Sequence, residues 1–219
     1  MFQSSILRQI IHIGGNKTAS TLLQRQLFLK SPNIRYIGEE SSNNPEENGL
    51  LHSLICLDDS FYSVDHTKSW FSRKFQDPEN KVLVFSSEDI MTSTIPTTCA
   101  KRLKTLLPNG EIVMVIRNQF TTWMSWYANH GAFLKQVPQR YWKSYVSFNE
   151  WLKYCFSFPQ QSPVEAMNYF RFYSIFSDIF GQNKVTVILY EDLINNPTKF
   201  YNKWAKILSF NIKELEKGL

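Results

Sequence analysis

Apolar residues in this chain gather into short unbroken runs, separated by longer stretches where they recur every three or four positions. The runs are Ile10-Ile11 with Ile13, KVLVF at 81–85, EIVMVI at 111–116 and KVTVILY at 184–190, with a shorter one, IRYI, at 34–37. Continuous apolarity marks strands buried on both faces, as in a parallel sheet. The intervening stretches predict helices over 18–29, 50–57, 70–75, 97–107, 119–129, 148–156, 163–180 and 197–208. Two of the stops are chemically marked, by Ser31-Pro32 and by Pro108-Asn109-Gly110. Residues 38–49, GEESSNNPEENG, read as a polar loop, either a solvated connection or a lid facing a substrate. Strands alternating with helices imply an α/β fold of three layers, a central, mostly parallel sheet with helices on both faces. The length, 219 residues, suits one domain over 1–219 with a sizeable core.

Open parallel sheets bind ligands beyond the carboxyl ends of their strands. Four such ends carry polar groups: Lys17 with its neighbouring hydroxyls, Ser86-Ser87-Glu88, Arg117-Asn118, and Tyr190-Glu191-Asp192. The first is the richest. Residues 10–23, IIHIGGNKTASTLL, read as a buried strand, a tight turn at Gly14-Gly15, and a helix opening among hydroxyl side chains. A helix N-terminus points unpaired N–H groups outward and carries about half a positive charge. Lys17 adds a full charge, and Thr18, Ser20 and Thr21 add donors. Gly15, Asn16, Lys17, Thr18, Ala19, Ser20 and Thr21 are therefore the candidate anion-binding loop. Glycines also serve ordinary turns, and Ser or Thr also cap helices. What favours the anion is the coincidence of glycines, a lysine and hydroxyls in one short stretch. No glycine directly precedes Lys17, so the GxxxxGK[ST] loop of kinases and GTPases is absent.

Arg117 is the second anchor. Ser125, eight residues on, lies inside the next helix, about 80° past two full turns and so on roughly the same side as the helix start. An arginine fork and a hydroxyl could hold a second phosphate. The alternative is an arginine paired to a surface carboxylate and a serine facing solvent.

Composition narrows the field. Hydrophobic residues at 43% and aromatic residues at 15% describe a folded globular chain. The net charge of +5 suits an anionic ligand and is too weak to imply nucleic acid. Cys56, Cys99 and Cys155 lack the spacing of metal ligands and are expected reduced and buried, and no metal is expected. There is no apolar stretch of membrane-spanning length. The opening MFQSSILRQIIHIGG lacks a signal-peptide shape, so the expected compartment is cytoplasmic. The oligomeric state stays open.

The segment HIGGNKTASTLLQ, followed by IVMVIRNQFTTWMSWY, resembles the sulfotransferases that use 3′-phosphoadenosine 5′-phosphosulfate (PAPS). It is nearer to carbohydrate-modifying and bacterial members than to the steroid and phenol enzymes. VILYEDLINNPTKF is similar to the family's late strand and helix. The resemblance spans roughly residues 8–208. It implies a P-loop-NTPase-like version of the three-layer fold, PAPS as sulfonate donor with PAP as product, and an acceptor hydroxyl on a glycan or small metabolite. It implies that the loop binds the 5′-phosphosulfate, with Lys17 at the bridging or leaving oxygen, and that Arg117 and Ser125 bind the 3′-phosphate. Two departures stand out. Ala19 falls where glycine is common, and KELEKGL is not the glycine-rich basic segment that closes over the nucleotide in many cytosolic members.

Sulfonate transfer to a hydroxyl needs a base for the acceptor proton and positive charge for the leaving phosphate. Glu88 is the first candidate base, because it follows the strand KVLVF, after which cytosolic relatives place a catalytic histidine. Glu39 and Glu40 follow IRYI, where other members place a catalytic glutamate, and His52 is a further candidate. Each could instead be a surface group or a helix-cap partner. His12 reads as a packed core residue, and Trp123 and Trp126 are expected to pack their helix on the sheet. The basic aromatic stretch with Lys135, Arg140, Tyr141, Trp142, Lys143 and Tyr145 forms either an acceptor wall or a packed helix pair. Two other functional readings are a P-loop nucleotide kinase and a non-catalytic nucleotide-binding relative.

Overall fold

The computed structural model describes residues 8–38, 45–74, 82–131, 145–159 and 162–210. The five apolar runs are five strands: β1 (Arg8–Gly14), β2 (Ile34–Gly38), β3 (Val82–Ser86), β4 (Glu111–Ile116) and β5 (Val185–Leu189). They form one sheet in the order β2-β3-β1-β4-β5, and every pair is parallel. The helices before the middle of the chain are α1 (Ser20–Leu22), which runs on as a π-helical turn over Leu23–Phe28, α2 (Pro45–Cys56), α3 (Val64–Lys74), α4 (Asp89–Thr92) and α5 (Pro96–Leu106). Those after it are α6 (Gln119–Trp126), α7 (Phe148–Ser157), α8 (Tyr169–Phe180), α9 (Tyr190–Asn195) and α10 (Pro197–Leu208).

Strand side chains alternate between faces, and both faces are buried. Ile11, Ile13, Leu83, Phe85, Ile112 and Met114 pack under α2, α3, α5 and α8. Ile10, Val84, Val113, Val115 and Ile188 pack on the other face, against the first helix and against Phe200, Trp204 and Leu208 of α10. The three-layer α/β fold is therefore as expected, with a sheet that is wholly parallel. The chain order reverses at β1, whose followers β2 and β3 lie on one side and β4 and β5 on the other. The first helix, after β1, and α8, after β4, pack on opposite faces of the sheet, which makes this the switch point where open α/β sheets form their ligand crevice.

Several helix limits differ from the periodicity. α2 takes in residues 45–49, which read as loop, because Pro45 opens it and Glu46 and Glu47 complement its first turn. α3 starts at Val64 rather than near Trp70, where Ser63 Oγ accepts the His66 N–H. The stretch expected as one helix over 163–180 is a 3₁₀ turn at Glu165–Met167 and then α8, because Asn168 Oδ1 accepts the Arg171 N–H and caps a new start. Trp123 and Trp126 do not pack on the sheet. They join Trp151 and Cys155 of α7 and Met167 in a separate apolar cluster, with Trp123 and Trp151 edge to face at 5.6 Å. Large aromatic surfaces on α6 and α7 satisfy each other, so the sheet is not needed to bury them. All three cysteines are free; Cys99 and Cys155 are buried and Cys56 half-buried. Burial pushes the Cys99 and Cys155 thiols up to about 12.

His12 is a core residue, as expected. Its ring is fully buried on β1, 5.6 Å from Phe28 and 5.4 Å from Trp204, both edge to face. Burial alone drives its pKa down to about 3. The unfolded chain therefore binds the extra proton between about pH 6.5 and 3, and stability falls as pH drops through that window. Urea midpoints at pH 7 and pH 5 should differ for the wild type. In His12→Phe the difference should shrink, since no proton is then taken up at this position on unfolding.

Candidate functional site

The site begins where β1 becomes a helix with almost no connecting chain. Gly14 admits no side chain, because a Cβ there would lie 2.0 Å from Ser20 Oγ and 2.9 Å from the His12 ring. Ser20 thus rests directly on the strand end. To make that reversal, Lys17 (φ 68°) and Ala19 (φ 65°) take left-handed backbone. Side chains with a Cβ pay for this conformation with roughly 1–2 kcal/mol each, and such strain clusters at ligand sites. Left-handed residues beside ordinary ones turn successive N–H groups to one side, the nest geometry that holds anions. Within the described residues, no hydrogen bond occupies the backbone N–H of Lys17, Ala19, Ser20, Thr21 or Leu22.

The hydroxyls divide. Thr18 is buried, and its Oγ1 donates to the Gly15 carbonyl at 2.5 Å; Ser20 is buried beside it, Oγ to Oγ 3.3 Å. Thr21 is exposed, and Asn16, Lys17 and Ala19 are half-exposed. The loop thus offers an anion its backbone N–H groups, the Lys17 ammonium and the Thr21 hydroxyl, while Thr18 and Ser20 shape the turn.

Arg117 leaves the end of β4, the neighbour of β1, and reaches back to this loop. Its Nη1 donates to the Lys17 carbonyl at 2.9 Å, its Nε donates to Thr121 Oγ1 at 3.2 Å, and its plane lies 4.6 Å over the Tyr190 ring. Thr121 and Ser125 are one turn apart on α6, so half-buried Ser125 shares the face that Arg117 touches. Asn118 Oδ1 caps α6 by accepting the Thr121 N–H, and the Asn118 N–H donates to Glu191 at 2.8 Å. Of the Tyr190-Glu191-Asp192 group, Tyr190 and Glu191 thus meet the β4 end. Asp192 instead accepts from Lys199 (2.9 Å) and Lys203 (2.6 Å) of α10, which hold its carboxyl below the usual range.

Glu88 is half-buried in the turn between β3 and α4. That turn lies close to the loop: Met91 of α4 places its Sδ 3.3 Å from where a Gly15 Cβ would stand. Glu39, Glu40 and the stretch 132–144 lie outside the described residues, as does the terminal KELEKGL. His52 sits on α2, which packs beneath one face of the sheet.

No protein-family model matches the sequence, and no curated protein matches it. Solved structures do. A sulfotransferase from Alicyclobacillus acidocaldarius superposes with a TM-score of 0.64 at 17% identity, over 94% of this chain and 82% of that one. The sulfotransferase domain of the curacin biosynthetic pathway gives 0.57 at 14% identity, over 97% and 78%. Mouse sulfotransferase SULT7A1, solved with PAP, gives 0.53 at 11% identity, over 97% and 65%. The chain has the sulfotransferase fold.

On this sulfotransferase fold, sequence reasoning missed one residue of the crevice. Tyr169, the first residue of α8, packs against Gly15, 3.9 Å from the Cβ that a side chain would add. Burial pushes its phenol pKa up, against hydrogen bonds to the Thr122 side chain and the Arg117 backbone. The Asn168 cap signals a helix start there and nothing more. Among the described residues, no group of three His, Cys, Asp or Glu could hold a metal, and no helix is long and apolar enough to cross a membrane.

The left-handed Ala19 also explains why glycine suits this position. Relief of roughly 1–2 kcal/mol of strain, less about 0.4–1 kcal/mol of added unfolded-state entropy, predicts that Ala19→Gly stabilises the protein by about 0.5–1 kcal/mol. Chemical denaturation of the two proteins side by side measures it, and a loss of stability would contradict the strain argument.

Proposed function

We propose that the chain transfers the sulfonate of PAPS to a hydroxyl of a carbohydrate or small-metabolite acceptor. The observation that carries the reading is the 2.9 Å contact between Arg117 and the Lys17 carbonyl. A donor with a phosphosulfate at one end and a phosphate at the other needs two cationic anchors at one crevice. Here they follow adjacent strands, and the guanidinium of one bonds the backbone carbonyl of the other. Among the described residues, two of the five guanidinium donors of Arg117 have partners, which leaves others for a phosphate. The fold shared with sulfotransferases supports the same reading.

The donor supplies a sulfonate activated by its phosphate leaving group. Lys17, with the free N–H groups of the loop, balances the charge that grows on the departing oxygen. Arg117, with Ser125 on its face of α6, holds the 3′-phosphate. Glu88 accepts the acceptor proton as the new S–O bond forms and the S–O bond to phosphate breaks. Strand order favours Glu88 over Glu39 and Glu40. β3 is next to β1, whereas β2 lies one strand further, roughly 10 Å from β1 at the usual strand spacing.

Calorimetry with adenosine 3′,5′-bisphosphate tests the reading. Loss of one charge-assisted contact is worth about 1.5–3 kcal/mol, so Lys17→Ala and Arg117→Ala should each weaken binding by about ten-fold or more. Unchanged affinity in both variants would reject it. Magnesium-dependent ATP binding with no preference for a 3′-phosphate would instead point to a kinase. Turnover separates the base from the binding residues. Glu88→Gln should lower kcat by about 10²–10⁴-fold while bisphosphate affinity stays near that of the wild type. Bisphosphate binding with no transfer to any of a broad set of acceptors would mark a non-catalytic relative.

A further inference from the structure

A buried polar chain lies directly beneath the loop and takes no part in the chemistry above. Gln24 Nε2 donates to Ser86 Oγ at 3.0 Å, and Ser86 Oγ lies 2.7 Å from His12 Nδ1. All three side chains are at least 98% buried. Ser86 Oγ accepts from Gln24 and keeps both a donor and a second acceptor position, so it pairs with His12 Nδ1 in either tautomer of the imidazole. Burial keeps that imidazole neutral. Nε2 has no hydrogen-bond partner among the described residues and stands among the Phe28 and Trp204 rings. The two hydrogen bonds share the Ser86 hydroxyl and so join amide, hydroxyl and imidazole in one chain, each bond polarising the next.

Its placement matters more than its energy. His12 and Ser86 are register partners on β1 and β3. His12 stands two residues before Gly14, and Ser86 two residues before Glu88. Gln24 is one turn along the helix from Ser20, on the same face. Three elements thus meet at one hydroxyl: the strand that feeds the Lys17 loop, the helix that leaves it, and the strand that delivers Glu88. Hydrogen bonds at fixed length tie their ends together immediately below the crevice.

We propose that Gln24, Ser86 and His12 are positioning residues that hold the Glu88 turn at a fixed separation from the Lys17 loop. The catalytic meaning rests on the sulfotransferase reading, because there the base and the leaving-group cation must address the same reacting centre. A misplacement of about 1 Å between such groups costs on the order of 10²-fold in rate. No member of the trio needs to touch a ligand for this.

Ser86→Ala and Ser86→Thr separate positioning from packing. Ser86→Ala removes the hydroxyl that joins the three, and Ser86→Thr keeps it. Amide hydrogen exchange reads the geometry without reference to activity. In Ser86→Ala, exchange should rise by about ten-fold or more at the hydrogen-bonded amides of both segments together, Gly15 and Thr18 in the loop and Asp89 and Met91 in the Glu88 turn, and Ser86→Thr should restore it. A rise in only one segment, or in neither, would overturn the proposal. For turnover, kcat of Ser86→Ala should fall by about ten- to a hundred-fold at unchanged bisphosphate affinity, again rescued by Thr. A lower Tm with kcat per folded molecule unchanged would leave the trio a packing feature and overturn the positioning role. Gln24→Met, which keeps the volume and removes the amide donor, serves if Ser86→Ala does not fold, with the same expectations. Should the wild type fail to bind the bisphosphate, the sulfotransferase reading falls, and the exchange measurement still decides whether the two segments are coupled.

Discussion

The missing side chain at Gly14 governs the rest of the site. Ser20 Oγ would stand only 2.0 Å from a Cβ at that position, so the helix starts flush against the end of the central strand. A chain that turns from strand to helix in so few residues has little backbone freedom, and left-handed Lys17 and Ala19 are the result. The same reversal points the first N–H groups of the helix and the Lys17 carbonyl out of the sheet edge. That carbonyl is what Arg117 finds. The free N–H groups of the turn, its strain and its coupling to β4 are therefore consequences of one close approach between a strand and the helix that follows it.

Much of this was legible because buried parallel strands leave an unbroken apolar signature. Four runs and IRYI located the sheet to within a residue or two, and the strand ends followed from them. The central loop was legible too, since glycines, a lysine and hydroxyls coincide there. What local pattern could not say was which hydroxyls stay exposed: Thr18 turns inward because the Gly15 carbonyl is within its reach. Helix starts at Pro45, Val64 and Tyr169 escaped because a proline, a serine cap and an asparagine cap set them, and not apolar spacing. Trp123 and Trp126 were misplaced for a related reason. An aromatic pair on a helix announces that it will be buried, without naming the surface that buries it. Tyr169 was invisible since its neighbour, Gly15, is far away in the sequence and meets it only through the sheet.

Two cations of different kinds stand at the crevice, and the geometry explains the difference. Arg117 bonds the Lys17 carbonyl, bonds Thr121 and stacks on Tyr190 at once. A planar fork with five donors can do this and keep donors for a ligand, whereas an ammonium with three donors on a flexible stem cannot hold the same three partners in fixed directions. Position 17 asks for something else. Its carbonyl and N–H are already fixed by the left-handed turn, so the side chain is left to carry a mobile point charge. The nearest buried titratable group, His12, adds nothing to that potential, because burial keeps it neutral down to about pH 3. The positive field at the crevice therefore comes from Lys17, Arg117 and the helix-start N–H groups.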